Sequence, residues 1–237
     1  MYMGYGYGMD ITYILVLIGA ALCMLASAGV RSTYSKYAKV SSVTGMTGAD
    51  AVQRILQMSG VTDVSIEHVS GQLTDHYDPS KQVVRLSDAT YASDSVAALG
   101  VAAHECGHVM QHETGYIPLN IRTALVPVAN IGSNLGLPIV VLGLMLGLSQ
   151  TLCMVGIVMV LFGVLFQIVT LPVEFDASRR GLEMLENYGI LGSNELELSK
   201  KVLRAAALTY VAAAASSILQ LLRLIILTNG RSGRRRD

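Results

Sequence analysis

The sequence predicts a mainly α-helical integral membrane protein, with about four transmembrane or membrane-associated helices and a small water-exposed α+β domain. Hydrophobic residues make up 52% of the 237 residues and charged residues only 14%, whereas soluble domains carry about 25% charged residues. Uncharged stretches of about 20 residues, enough to cross a hydrocarbon core of roughly 30 Å, recur along the chain. The polar segments between these stretches predict the water-exposed domain.

The N-terminal segment, residues 1–30, predicts a transmembrane anchor. Residues 1–10 form a short leader without Lys or Arg, and residues 11–30 are uncharged. A cleaved signal peptide carries its basic residues before the apolar stretch, whereas here Arg31 and Lys36 follow it. We therefore expect an uncleaved anchor with its N-terminus outside.

The polar segment 31–121 is the predicted water-exposed domain. Apolar residues at three- and four-residue spacing predict a short amphipathic helix over residues 47–61. The β-branched stretches 64–70 and 81–87 predict two strands on either side of the turn-rich loop GQLTDHYDPS. The second strand, QVVRLS, is expected either to offer an edge to an extended peptide or to be an ordinary strand of the sheet.

Residues 122–171 predict a transmembrane hairpin. Two apolar stretches, 124–148 and 151–171, are separated by only two residues, and so short a connection makes the two helices neighbours. We expect Pro172 to end the second helix, because proline has no backbone N–H to continue the hydrogen-bond ladder.

The rest of the chain divides into a polar segment, 172–204, and a C-terminal region, 205–237, with an apolar helix and a basic tail. Basic residues beside the spans place both polar segments inside the cell, which predicts a multi-pass protein of the inner (plasma) membrane. If stretch 205–227 crosses the membrane fully, the tail RSGRRRD with its four arginines ends outside, against the preference of basic residues for the inside. This stretch is therefore expected either to span the membrane or to enter it only partly. Arg223 is compatible with both, since an arginine near a helix end can snorkel to the interface.

A helix expected over residues 93–113 carries the motif HECGH. Residues four apart lie on one face of a helix, so His104 and His108 can bind one zinc ion. Glu105 adjoins that face and can act as general base toward a zinc-bound water. Cys106 points away from it and is expected to pack in the core. The alternative is a helix that carries this motif by chance, although buried Glu and His are costly unless they are engaged.

A third zinc ligand is expected from LPVEFDASRRG, residues 171–181, because a catalytic zinc has three protein ligands and one open position. Glu174 is favoured, since an acid directly after a membrane span is otherwise unwelcome. Asp176 is the alternative, and both could also be ordinary carboxylates at the interface. His112 and Gln111 are expected to support the site or to lie at its edge, because three consecutive helical turns converge poorly on one ion.

AAHECGHVMQH, followed by an apolar hairpin and by LPVEFDASRR, resembles the YugP-like family of bacterial membrane zinc metallopeptidases. The resemblance extends to LTDHYDPSKQVVRLS and covers roughly residues 30–225; the HtpX and CAAX-prenyl endopeptidases are more distantly similar. It implies a zincin-like domain with a gluzincin-type site, in which His104, His108 and Glu174 bind zinc and Glu105 is the general base.

One departure from the distant relatives concerns the position four residues after the ligand glutamate. Those relatives carry the pattern E-x-x-x-D, whereas this chain has Ser178 in place of the aspartate. The supporting role of that aspartate must therefore be filled by another residue, and Asp176 is a candidate.

Motif and resemblance together predict a zinc metalloendopeptidase in the lipid bilayer that hydrolyses membrane proteins or peptides near the cytoplasmic face. The developing oxyanion needs a hydrogen-bond donor, for which residue type leaves Tyr210, Tyr77, His76 and Arg180 open. The alternative is a non-catalytic membrane protein with a structural zinc, although such sites prefer four protein ligands. A transporter is disfavoured because the first three spans carry no charged residues. A net charge of zero gives no support for a nucleic-acid partner.

Overall fold

The computed structural model describes residues 11–146 and 149–232, and side chains as far as Asn229. The predicted leader and the end of the basic tail lie outside the described residues. Helices dominate, with three short strands in the N-terminal half, which confirms the predicted mainly α-helical fold with a small α+β part. The elements are α1 (Tyr13–Tyr37), α2 (Gly48–Met58), β1 (Ser65–Val69), β2 (His76–Asp78), β3 (Val83–Ser87), α3 (Val96–Glu113), α4 (Ile117–Met145), α5 (Gln150–Asn187) and α6 (Ser193–Ser232).

Within the described residues, four helices are long and apolar enough to cross a membrane, as the sequence predicts. They are α1, α4, α5 and the Ser193–Asn229 part of α6. Most large apolar side chains that remain exposed lie on these four helices. Apolar surface of this extent is normally covered by lipid or by another protein, so the helices fit a membrane protein.

The prediction that Pro172 ends the second arm of the hairpin is wrong. Helix α5 continues through this proline to Asn187, and α4 contains Pro127 and Pro138 in its interior. A membrane helix tolerates proline because neighbouring groups and small local adjustments satisfy the freed carbonyl. The segment that carries Glu174 is therefore part of a continuous helix rather than a separate element.

The sheet contains one strand that the sequence analysis placed in a loop. Strand β2 lies within GQLTDHYDPS, and the strand order is β1-β3-β2. β1 pairs with β3 in parallel, and β2 pairs with it in antiparallel. Since both edges of β3 are occupied, QVVRLS is an ordinary sheet strand and offers no free edge to a peptide. A three-residue strand is too short to show an alternating pattern.

The chain forms two compact units. The first contains α1 up to Leu25, Ala124–Ile168 and α6 from Val211. In this unit α4 and α5 approach closely, because a Cβ on Gly156 would stand 2.7 Å from the carbonyl oxygen of Gly136. Small residues of this kind let membrane helices pack backbone against backbone.

The second unit joins Ala26–Thr123 to Val169–Tyr210, so both predicted polar segments contribute to one core. Its centre holds fully buried side chains from α2, β3, α3 and the end of α5. Local signals fix the helix starts: Thr47 and Asp50 form a capping box at α2, and the Ser95 side chain accepts a hydrogen bond at the start of α3. The largest members of this core are Ile55, Leu86, Leu99, Leu185 and Ile190.

Candidate metal centre

Helix α3 is held directly against α5 by two glycines. A Cβ on Gly181 would stand 2.7 Å from the carbonyl oxygen of Ala103, and a Cβ on Gly107 would collide with the backbone of Ala177. Gly107 is the fourth residue of HECGH, so the motif contains the contact that brings the two backbones together. This close approach carries Glu174 to the face of α3 that presents the two histidines.

The side chains of His104, His108 and Glu174 converge on one point. Their nearest ligand atoms all lie within 4.8 Å of one another. Glu174 Oε2 is 3.3 Å from His104 Nε2 and 3.7 Å from His108 Nε2. Among the residues that the structure describes, this is the only group of three His, Cys, Asp or Glu side chains arranged in this way.

This arrangement fits a tetrahedral zinc ion. Ligand atoms that surround one ion tetrahedrally at 2.0–2.1 Å lie about 3.3 Å apart. Glu174 is only 3% exposed, and its Oε2 atom is buried without a hydrogen bond. Such a carboxylate oxygen is costly to bury unless a cation engages it. The three residues therefore fit zinc in donor type, spacing and number.

Gln111 determines which nitrogen of His108 faces the site. Its amide Nε2 donates to the carbonyl oxygen of Val173 at 2.8 Å and to Asp176 Oδ2 at 3.0 Å. Its Oε1 atom lies 3.0 Å from His108 Nδ1 and can only accept there, so Nδ1 carries the proton and the lone pair of Nε2 faces the site. The prediction that Gln111 supports the site agrees with this geometry.

The supporting contact to His104 comes from the residue that the sequence analysis discounted. Ser178 Oγ lies 3.0 Å from His104 Nδ1, so the hydroxyl stands where the distant relatives have a carboxylate. Asp176 is not in the ligand cluster; its carboxylate accepts hydrogen bonds from Gln111 and from Arg180 Nε at 2.6 Å. Asp176 thus acts on His108 through Gln111, and the alternative that it is a third ligand finds no support.

Glu105 lies beside the cluster and is held by the newly found strand. Its Oε2 atom accepts a hydrogen bond from the backbone N–H of Tyr77 in β2 at 3.0 Å. Glu105 also lines a cavity of about 220 Å³ together with His104, Glu174 and Tyr210. Of the four candidate oxyanion donors, only Tyr210 lines this cavity.

The electrostatic field at the cluster favours a cation. Burial opposes the charged form of His108, but the Glu174 and Glu105 carboxylates outweigh it and raise the pKa of this imidazole above its ordinary value. A site that favours a proton in this way also favours a divalent metal. Burial raises the pKa of the Cys106 thiol, which agrees with the expectation that Cys106 packs in the core.

Two further residues complete the description of the site. His112 contacts the hydroxyl of Tyr77 through Nδ1 at 3.1 Å and lies outside the ligand cluster. Arg122 of α4 lies 3.9 Å through Nη1 from Glu174 Oε1. The sequence signal that could have pointed to Arg122 is its position as the last charged residue before the apolar stretch 124–148.

Comparison with known proteins gives two matches. The model of a family described as "Putative neutral zinc metallopeptidase" matches residues 12–229. The chain is 44% identical over 218 residues to "Putative membrane protease YugP" of Bacillus subtilis (strain 168). The matched region covers 92% of this chain and 96% of that relative. No solved structure matches the chain significantly.

Proposed function

The chain belongs to the neutral zinc metallopeptidase family, and from this membership we propose that it is a membrane zinc endopeptidase. Its substrates are membrane proteins or peptides, cleaved near the cytoplasmic face of the inner membrane. The observation that carries the proposal is the convergence of three ligand atoms beside a cavity that Glu105 also lines. A purely structural zinc site would more often be closed by a fourth protein ligand.

His104, His108 and Glu174 are the residues that would hold zinc. Zinc bound there would polarise the scissile carbonyl and lower the pKa of water from 15.7 to about 7. Arg122 lies near Glu174 Oε1, so it helps to keep the other carboxylate oxygen, Oε2, directed at the two imidazoles.

Glu105 takes the proton from the attacking water and then transfers it to the leaving amine. The N–H of Tyr77 holds one carboxylate oxygen of Glu105, so the second oxygen is the one that receives the proton. The Tyr210 hydroxyl stabilises the developing oxyanion, since Tyr210 lines the cavity with Glu105.

The distribution of charge supports a position of the site on the cytoplasmic side of the membrane. Arg31, Lys36, Arg179, Lys200 and Lys201 lie in the unit that carries the candidate site. An excess of Lys and Arg marks the cytoplasmic side of a membrane protein. The substrate is therefore a segment that reaches the cytoplasmic surface of the bilayer.

The test combines zinc content with hydrolysis of casein and of a detergent-solubilised membrane protein. Wild type is expected to hold about one zinc per chain, in line with one three-ligand site. Glu174→Ala should lose the zinc, whereas the matched control Glu186→Ala, an exposed position on the same helix, should retain it. Glu105→Gln should keep zinc but lose hydrolysis by a factor of at least about 100.

Two results would contradict the proposal. Wild type that binds no zinc after supplementation would remove the metal site. Full hydrolysis by zinc-bound Glu105→Gln would exclude Glu105 as the general base and would favour the alternative that the zinc is structural.

A further inference from the structure

Two grooves on the second unit meet at Arg204 of α6. The first, which we call the Phe175 groove, has a volume of about 530 Å³ and an apolar floor that includes Phe175 and Leu203. The second, the Tyr37 groove, has a volume of about 380 Å³ and runs along Tyr37 of α1. Arg204 and Leu208 line both grooves, so one cation is shared by the two.

The lining of the grooves is strongly cationic. Arg179 and Lys200 line the Phe175 groove, and Lys36 and Lys201 line the Tyr37 groove. Among the described residues that line either groove there is no carboxylate. This concentration of positive charge on apolar channels predicts a ligand with an anionic head and apolar chains.

Three of these cations are available to a ligand. Arg179 is bound by acidic neighbours on α5, and Lys200 pairs with Glu197. Among the described residues no carboxylate oxygen lies within 4 Å of Lys36, Lys201 or Arg204; Glu197 interacts with Lys201 and Arg204 only at longer range, and Lys36 lies over the Tyr37 ring. Lys36, Lys201 and Arg204 are exposed, so they can reach a phosphate.

These cations lie where apolar helix gives way to polar sequence. On α6 the uncharged run begins at Ala205, directly after Arg204, and on α1 the uncharged run 11–30 ends before Lys36. Lysines and arginines at such boundaries sit at the depth of lipid headgroups and keep their aliphatic stems against apolar surface.

We propose that this surface is a binding site for one anionic phospholipid, with its phosphate held by Arg204, Lys201 and Lys36. The two acyl chains occupy the Phe175 groove and the Tyr37 groove, on either side of Arg204. One phosphate with two acyl chains matches one arginine that is shared by two grooves, whereas an extended peptide has no such branch. The Phe175 groove shares Ser178, Leu203 and Ala207 with the cavity beside the candidate zinc site, but the lipid proposal does not depend on the zinc chemistry.

Lipid retention by the full chain tests the site. The purified protein is offered equal amounts of phosphatidylglycerol and phosphatidylcholine, and retained lipid is counted by native mass spectrometry. Wild type should keep about one phosphatidylglycerol in preference to phosphatidylcholine. Lys201→Gln/Arg204→Gln should lower that retention by roughly tenfold or more, because each Lys or Arg near an anionic lipid contributes appreciably to binding.

Three variants control the experiment. Lys201→Arg/Arg204→Lys preserves the charge and should retain the lipid. Arg54→Gln/Lys81→Gln removes two exposed cations outside both grooves and should behave as wild type. Lys36→Gln, a single exposed change, should lower retention about fivefold and remains informative if the double variant fails to fold.

Either of two results would overturn the proposal. Equal retention of the two lipids would show that the grooves do not select an anionic phospholipid, and would favour an apolar protein segment as their ligand. An equal loss in Arg54→Gln/Lys81→Gln would show that diffuse charge, rather than these grooves, attracts the lipid.

Discussion

At the scale of single residues, the candidate site depends on side chains that orient the ligands. Gln111 is fully buried, and both ends of its amide are engaged. The Gln111 amide nitrogen donates to Val173 and Asp176, so its oxygen faces His108 and accepts from Nδ1–H. This contact fixes the His108 tautomer in which Nε2 carries a free lone pair. Ser178 provides the corresponding contact for His104. A serine can replace a carboxylate here because a hydroxyl can also accept from the ring N–H.

Replacing Gln111 by Ala should weaken zinc binding by about 10–100-fold, because the variant loses the acceptor that holds His108 in its binding tautomer. Competition with a chromophoric chelator measures this affinity in the folded protein. Gln57→Ala, an exposed position on α2, is the matched control and should bind as wild type. If Gln111→Ala lowers only thermal stability and leaves zinc affinity unchanged, Gln111 is a packing residue.

At the scale of elements, the contact between α3 and α5 creates the site. Gly107 and Gly181 let the two backbones meet, and HECGH therefore serves as a packing motif as well as a ligand motif. Glu174 lies on a helix that continues through Pro172, and a rigid helix fixes its position relative to His104 and His108.

Gly107→Ala should destabilise the protein by about 1–3 kcal/mol, because the new methyl group collides with the Ala177 backbone and backbone cannot move aside cheaply. Chemical unfolding of the metal-free protein measures the change in free energy of unfolding. Gly29→Ala is the control, since a Cβ there meets nothing within 4 Å, and it should be neutral or stabilising by about 0.5–1 kcal/mol. Equal effects of the two substitutions would argue against a tight α3–α5 contact.

At the scale of the whole molecule, acid should weaken the fold through Asp78 at the end of β2. Hydrogen bonds from the Ser80 hydroxyl and from Arg85 hold the pKa of this carboxyl well below its ordinary value. A lowered pKa in the folded state adds stability above the ordinary pKa of about 3.9, and this stability is lost as the pH falls below it.

The melting temperatures of wild type and Asp78→Asn, compared at pH 7 and pH 3 after zinc removal, test this expectation. The variant should be less stable than wild type at pH 7. The difference should shrink at pH 3, because part of the stability that the charged Asp78 carboxylate adds is already lost below its ordinary pKa. A difference of the same size at both pH values would mean that Asp78 does not contribute through its charge.

Local patterns in the sequence were sufficient for the fold class, the four apolar helices and the choice of His104, Glu105, His108 and Glu174 as site residues. Span length, helical periodicity and an i, i+4 histidine pair depend on residues that are close in the chain. For the same reason these patterns predicted the helix that carries the motif. The roles of the four site residues stay predictions until zinc and activity are measured.

Only the tertiary structure decided which distant segments meet. Strand β2 is defined by its pairing with β3. The contact between Ser178 and His104 appears only when α5 lies against α3, and the contact between Arg122 and Glu174 only when the start of α4 lies beside α5. Pro172 was expected to end the helix because proline has no hydrogen-bond donor, whereas the helix continues through it because neighbouring groups that are remote in sequence compensate for this loss. Packing between remote residues leaves no periodic trace in the chain, and this is the physical reason that these features could not be predicted.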